Sequence, residues 1–292
     1  MHGLNINESP WAEISRSLDC EILDIRRRSG NEFSQTCAIH CSSQDYFVKL
    51  SPNIDSLEAE EDGLKALANS KAIRVPKLIL SGTTNSGGFL VTELLNLHMA
   101  KPSFPRLAQD LIALHRTTGT IFGWHRDNYI GGSRQQNPFC NNWTEFFREA
   151  RLHYQLSLAQ KNGYSFSLQT LGEQVLSGLP EILNHHDPVP SLVHGDLWQG
   201  NCGFTTDGVP VIYDPAIYYG DRETDLAMSQ LFGGFPQVFY DAYREAWPLD
   251  PGWEVRQLVY NLYHILNHLN LFGRTYLQQA EATARKILSE IR

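Results

Sequence analysis

Over the first ninety-odd residues, polar and apolar positions alternate in short runs. "QTCAIHC" (35–41) and "DYFVKLS" (45–51) have the β-prone composition and alternation of half-buried strands, and the polar "SSQD" between them reads as a hairpin turn. At "SLEAEEDGLKALANS" (56–70) the period lengthens, placing Leu57, Leu64, Leu67 and Ala68 on one helical face. Asp55, with Glu58 three residues on, is expected to cap this helix. "VPKLILSGTTNSGGFLVTELL" (75–95) returns to strand character, broken by a turn at Asn85 to Gly88. This part of the chain therefore predicts strands with one helix.

From about residue 103 the helical period dominates. "FPRLAQDLIALHRTTG" (104–119), "NNWTEFFREARLHYQLSLAQ" (141–160) and "QTLGEQVLSGLPEILN" (169–184) are amphipathic. In the tail, Val255, Leu258, Val259, Leu262, Leu266 and Leu269 share one face. Between these helices lies a β-like island: "SLVHGD" (191–196), "GNCGFTT" (200–206) and "VPVIYDP" (209–215). The expected architecture is α+β and two-lobed. Residues 1–95 form a small β-rich lobe and 96–292 a larger helical one, and the seam between lobes is where a ligand fits best.

Composition narrows the function classes. The 292 residues are 42% hydrophobic and 19% charged, with a net charge of −8. No basic run exceeds Arg26–Arg28, which argues against nucleic acid or an anionic membrane as the partner. The first residues carry neither a basic start nor an apolar stretch, and no run approaches the ~18 apolar residues of a membrane helix. The five scattered cysteines suit a reducing, cytoplasmic setting. Cys37 and Cys41 flank His40 but no second ligand pair follows, so strand packing is expected. His264 and His268 lie four apart on a helix, yet Ile265 stands where a metalloprotease needs a glutamate, so they too read as packing residues. His185–His186 receives no role. Oligomeric state has no signature in the sequence.

The island carries the chemistry. Asp196 is followed five residues later by Asn201, and Asp214 closes the apolar run "VPVIY". Phosphoryl transfer needs such a set: one carboxylate to take the attacking hydroxyl's proton, then an amide oxygen and a second carboxylate to hold Mg²⁺ against nucleotide phosphates. Asp, Gly and Asn also make ordinary turns. The combination with His194–Gly195 and the Asp-Pro after the next strand is what raises it above a turn. Such a site also needs a strand lysine and a helix glutamate. Lys49 in "YFVKL" supplies the first. Among Glu58, Glu60, Glu61 and Asp62, periodicity puts Glu60 nearest the centre of the leucine face, while Glu58 and Asp62 point away. A charge on an inward face needs a partner, and Lys49 is the candidate. For the nucleotide phosphates, the turn holding Ser29, Gly30, Asn31 and Ser34 offers backbone N–H groups, although it contains a single glycine.

"LVHGDLWQGN", "VIYDPAIYYGDRETDLAM" and "LFGGFPQVFYDAYREAWPL" resemble the fructosamine kinase (ketosamine-3-kinase) family. That family belongs to the aminoglycoside phosphotransferase and choline kinase group, with a protein-kinase-like fold. "NWTEFFREARLHYQL" and "LVYNLYHILNHLNLFG" extend the likeness over most of the chain. The resemblance implies an ATP- and Mg²⁺-dependent kinase acting on a hydroxyl of a ketosamine, free or protein-bound, in removal of glycation damage. It implies Asp196 as catalytic base, Asn201 and Asp214 as Mg²⁺ ligands, and Lys49 with Glu60 as the phosphate-positioning pair. It also implies Trp198 on the sugar side, Glu93 and Leu95 at an adenine-binding hinge, and His194 and Asp225 as supports of the catalytic loop. The chain departs from the family in its glycine-poor nucleotide loop and a longer segment before Trp143. Kindred readings are a kinase of the same fold acting on an aminoglycoside, choline or sugar, and a catalytically silent nucleotide binder.

Overall fold

The computed structural model describes residues 10–30, 33–97, 102–164 and 166–291. Helix α1 (Pro10–Leu18) precedes the strands β1 (Ile22–Gly30), β2 (Gln35–Cys41) and β3 (Asp45–Ser51), followed by helix α2 (Ile54–Ser70) and the strands β4 (Leu78–Thr84) and β5 (Gly87–Glu93). The five strands form one antiparallel sheet in the order β1-β2-β3-β5-β4. Alternation along β3 sorts its two faces. Tyr46 and Val48 are buried with Ile39, Phe89 and Val91 under Ile14 of α1, whereas Phe47 and Lys49 face a cleft beneath the sheet.

The rest is mostly helical: α3 (Phe104–His115), α4 (Trp143–Phe147), α5 (Tyr154–Lys161) and α6 (Phe166–Leu183). Between α3 and α4 lies a short hairpin, β6 (Asn128–Ile130) with β7 (Ser133–Gln135). The island follows as β8 (Ser191–Val193), β9 (Cys202–Phe204), β10 (Pro210–Ile212) and β11 (Tyr218–Gly220), in which β10 pairs β9 and β11 pairs β8. Helices α7 (Glu223–Leu231), α8 (Gln237–Ala246), α9 (Trp253–Phe272) and α10 (Leu277–Glu290) complete the fold. One core runs from Leu57, Leu64 and Leu67 of α2 through α3 into α9, so sheet and helices share a hydrophobic interior. No helix among the described residues is long and apolar enough to cross a membrane.

The structure corrects the sequence reading at four places. The N-terminal part holds a second helix, α1, whose Trp11, Ile14 and Leu18 have helical spacing over only nine residues. Helix α2 begins at Ile54 and is capped by Asn53, whose side chain accepts from the Ser56 amide at 3.3 Å; Asp55 therefore lies inside the first turn. Ala68, grouped with the leucines by spacing, is exposed. The amphipathic run 141–160 is interrupted by a wide π turn, Arg148–His153, at the buried Arg151. That guanidinium stacks 4.1 Å from the Tyr218 ring centre and donates to Asn137 at 2.8 Å. Cys37 and Cys41 are buried in β2 with free thiols, as strand packing implies.

Candidate active site

The loop after β8 is built around a glycine. Gly195 has φ +84°, and a Cβ there would collide with the Ala216 carbonyl oxygen, so only glycine fits this turn. Asp225, in the first turn of α7, accepts from the amides of His194 (2.7 Å) and Gly195 (2.8 Å), and His115 contacts the same carboxylate at 3.1 Å. Burial alone would raise the Asp225 carboxyl; its bond to His115, the attraction of that ring and the bond from the His194 amide outweigh that and hold it below its ordinary value. His194 is fully buried, which depresses its pKa. Nε2 donates to the Tyr213 carbonyl at 3.0 Å while Nδ1 accepts from the Asp196 amide at 3.3 Å, the pattern of a neutral imidazole. His194 and Asp225 thus tie the loop to β10 and α7.

Asp196 follows at the floor of the cleft. Asn201 donates its amide to the Asp196 carbonyl (2.9 Å) and carboxylate (3.0 Å), which leaves the Asn201 side-chain oxygen as a spare acceptor. Asp214 sits just past β10 in a left-handed conformation, φ +55°. Lys49 bridges Glu60 (2.6 Å) and Asp214 (2.9 Å), so β3, α2 and the island meet at one ammonium. The charges of Asp214 and Glu60 overcome burial and hold Lys49 above its usual range. Burial pushes Glu60 up to about 7 against the pull of Lys49. Asp196 is likewise raised to about 7, by burial first and then by the charge of Asp214. For Asp214, Lys49 outweighs burial, and its carboxyl stays low.

Two chambers share this centre. The larger, about 660 Å³, lies under the sheet and is lined by Phe47, Leu64 and Leu90 together with Glu93 and Leu95. Residues 94–97 have left the strand ladder along its edge. The Glu93 carboxylate is turned to other work, accepting from the Lys77 amide at 2.9 Å and pairing with Arg74 at 3.3 Å. The smaller chamber, about 270 Å³, holds Asp196, Asn201 and Trp198. Lys49, Glu60 and Asp214 line both. Trp198 is 36% exposed and meets the Phe232 ring edge-on at 6.3 Å.

Gly30 departs from its expected place. It ends β1 opposite Gln35, because the ladder continues past Arg28. Asn31 lies outside the described residues. Phe33 and Ser34, just ahead of β2, line the smaller chamber instead. Sequence reasoning missed Phe33, Tyr129 and Asn128, which also line that chamber and sit in stretches without a chemical motif. It also passed over His186, which is buried against Asp221 at 2.8 Å, with Asp250 at 3.2 Å from its other nitrogen. His186, Glu223 and Asp250 bring donor atoms within 4.8 Å of one another. Glu223 gives both oxygens to Arg256 (2.7 and 2.9 Å), so its carboxylate is already paired within this cluster. The crowding of acids in "GDRETD" was its sequence signal.

The site's oxygen donors suit a hard divalent cation. Asp214 is 48% exposed at its side chain, the Asn201 oxygen is in reserve, and a cation there would offset the carboxylates that Lys49 alone faces.

Comparison with known proteins identifies the family. The fructosamine kinase family model matches residues 9–290. A probable ketoamine kinase of Synechocystis is 42% identical over 96% of this chain and 97% of its own length. The chloroplastic protein-ribulosamine 3-kinase of Arabidopsis thaliana is 36% identical over 80% of this chain and 73% of its own. Among solved structures, one described as fructosamine-3-kinase from Thermobifida fusca superposes with a TM-score of 0.85 at 31% identity, covering 98% of this chain and all of that one. An aminoglycoside phosphotransferase, solved with AMP-PNP and hygromycin B, shares the fold at a TM-score of 0.69, with 13% identity and 98% of each chain covered. The chain belongs to the fructosamine kinase family.

Proposed function

We propose that this protein transfers the γ-phosphoryl group of ATP to a sugar hydroxyl of a ketosamine, and so marks glycated amines for removal. The observation that carries the reading is the pair of chambers joined at Lys49, Glu60 and Asp214, with Asp196 on one side only. The apolar chamber takes the adenosine, its edge meeting backbone groups near Glu93 and Leu95. Residues 1–95 then act as the nucleotide lobe and 96–292 as the catalytic lobe. Lys49, steadied by Glu60, holds the phosphates at the junction. Asn201 and Asp214 hold Mg²⁺, which offsets charge on the transferring group. Asp196 accepts the proton of the attacking hydroxyl; Asn201, bonded to the same carboxylate, keeps it aimed at the junction. Trp198 offers its exposed ring to the C–H face of the sugar. Five free thiols fit a reducing compartment.

The test is ATP-dependent phosphorylation with Mg²⁺ across lysine and protein adducts of erythrulose, ribulose and fructose, with an aminoglycoside and choline alongside. Turnover of one or more ketosamines is expected. Turnover of the aminoglycoside or choline alone, or of nothing, overturns the reading.

A further inference from the structure

Helix α2 is held on the side that faces away from the leucine core. Asp55, Glu58 and Asp62 lie together on that side, roughly opposite Glu60 at about 100° per residue. All three meet one segment of the helical part, just ahead of the β6–β7 hairpin. Arg126 bonds to Asp55 at 2.7 Å and approaches Glu58 at 3.7 Å. Tyr129 donates its hydroxyl to the other Asp55 oxygen at 2.8 Å. The Trp124 indole donates to Asp62 at 2.7 Å, and His125 lies 3.4 Å from the same carboxylate.

The far end of this segment is tied to the loop between β10 and β11 that carries Asp214. Asn128 donates to the Ile217 carbonyl at 2.6 Å. Gln135 donates to the Ala216 carbonyl at 2.9 Å and to Asn128 at 2.8 Å, and it accepts from Tyr263 at 2.8 Å. Helix and loop also touch directly: a Cβ on Gly63 would lie 3.1 Å from Pro215, next to Asp214. Residues 124–135 therefore join the two elements whose carboxylates, Glu60 and Asp214, Lys49 spans.

We infer that residues 124–129 are a strap that fixes α2 against the Asp214 loop, making Asp55 and Arg126 positioning residues for the Lys49–Glu60 pair. A lysine with two carboxylate partners is held only while both partners keep their spacing. The sheet and the leucine core fix α2 from one side, and the strap prevents it from rolling away on the other. Tyr129 links the two functions, because its hydroxyl holds Asp55 while its side chain lines the chamber of Asp196. Asp55 and Arg126 line neither chamber.

The inference rests on the kinase reading for its kinetic test and stands apart from it for its structural one. Arg126→Ala and Asp55→Ala are expected to lower kcat by about ten- to a hundredfold, the scale of a sub-ångström to ångström misplacement, with acceptor KM changed less than about twofold. Arg126→Lys, which keeps the charge, is expected to recover most of the rate. In a Glu60→Gln background, Arg126→Ala is expected to add less than about a twofold further loss, since the strap acts through Glu60. Equal losses in both backgrounds, or an unchanged kcat in Arg126→Ala, overturn the strap as a positioning device. Amide exchange at residues 58–62 needs no turnover. It is expected to quicken in Arg126→Ala, and unchanged rates overturn the strap even if the wild type phosphorylates nothing and the kinase reading itself falls.

Discussion

At the scale of single residues, Asp196 carries a conflict between stability and reactivity. Burial and the neighbouring Asp214 charge raise its carboxyl to about 7, so the fold favours its protonated form. A raised carboxyl adds stability in full below its unfolded value and loses that contribution as pH climbs through about 7. Proton acceptance needs the opposite, the ionised form. Phosphoryl transfer should therefore fall as pH drops below about 7, and the measurement is kcat/KM across pH with ketosamine as acceptor. Asp196→Asn should cut kcat by about 10²–10⁴-fold, the usual span for a general base. The same variant should melt higher than wild type above neutral pH and alike only below the unfolded value of about 4, because the penalty it removes builds up between that value and about 7. A variant that keeps its rate, or gains no stability at alkaline pH, contradicts the assignment. That these side chains gather at one place was legible: Asp196, Asn201 and Asp214 stand out by spacing, and helical periodicity picks Glu60 out of four acids as the partner of Lys49. Gly30 was not, because the length of a hairpin ladder depends on how far its partner strand remains in register.

At the scale of elements, α7 and the β8 loop form a single unit. Asp225 accepts from two loop amides and is fully buried with His115, so deleting its side chain strands both amides and leaves the histidine with Tyr243 on its other nitrogen but no carboxylate. Asp225→Ala should cost about 3–5 kcal/mol, the scale for breaking a buried pair, and denaturant unfolding reads it directly. The carboxyl is depressed in the fold, so its contribution is present above the unfolded value of about 4 and is lost as the pH falls below it. Wild type and variant should therefore converge in stability toward acid pH; a constant gap would mean that the loop is held by something else. Capping shows why elements are only partly legible. Asp55 and Glu58 match a capping box, but Asn53, two residues earlier, competes for the same helix and wins by bonding the Ser56 amide. The carboxylate so released faces Arg126 and Tyr129. A sequence pattern reports which face a residue shares with its neighbours in the helix. It does not report which distant segment covers that face.

At the scale of the whole molecule, the two-part architecture and its seam followed from the change of period near residue 103, whereas the contacts that set the parts against each other did not. They come from stretches such as 124–137 that have neither a strong period nor a motif. Those contacts predict how the molecule responds to ligand. Sheet and helical body meet at the Lys49 junction, where three charged side chains from β3, α2 and the island converge. A nucleotide lying across that junction touches both parts and is bound only while they are aligned, so its binding energy adds to the stability of the fold. At a hundredfold excess over Kd the gain is about 2.7 kcal/mol, which for a chain of this size raises the melting temperature by roughly 5 °C. Chelation of Mg²⁺ should remove much of that rise, because Asp196 and Asp214 would then face the phosphates without a cation between them. Lys49→Met should abolish it, and should also lower the ligand-free melting temperature, since Glu60 is left buried beside Asp214 without their shared cation. The check is thermal melting of both proteins with ATP, with and without Mg²⁺. A rise that survives both chelation and Lys49→Met would mean that the nucleotide sits in the apolar chamber without engaging the junction, and the shared centre of the two chambers would lose its place in the mechanism.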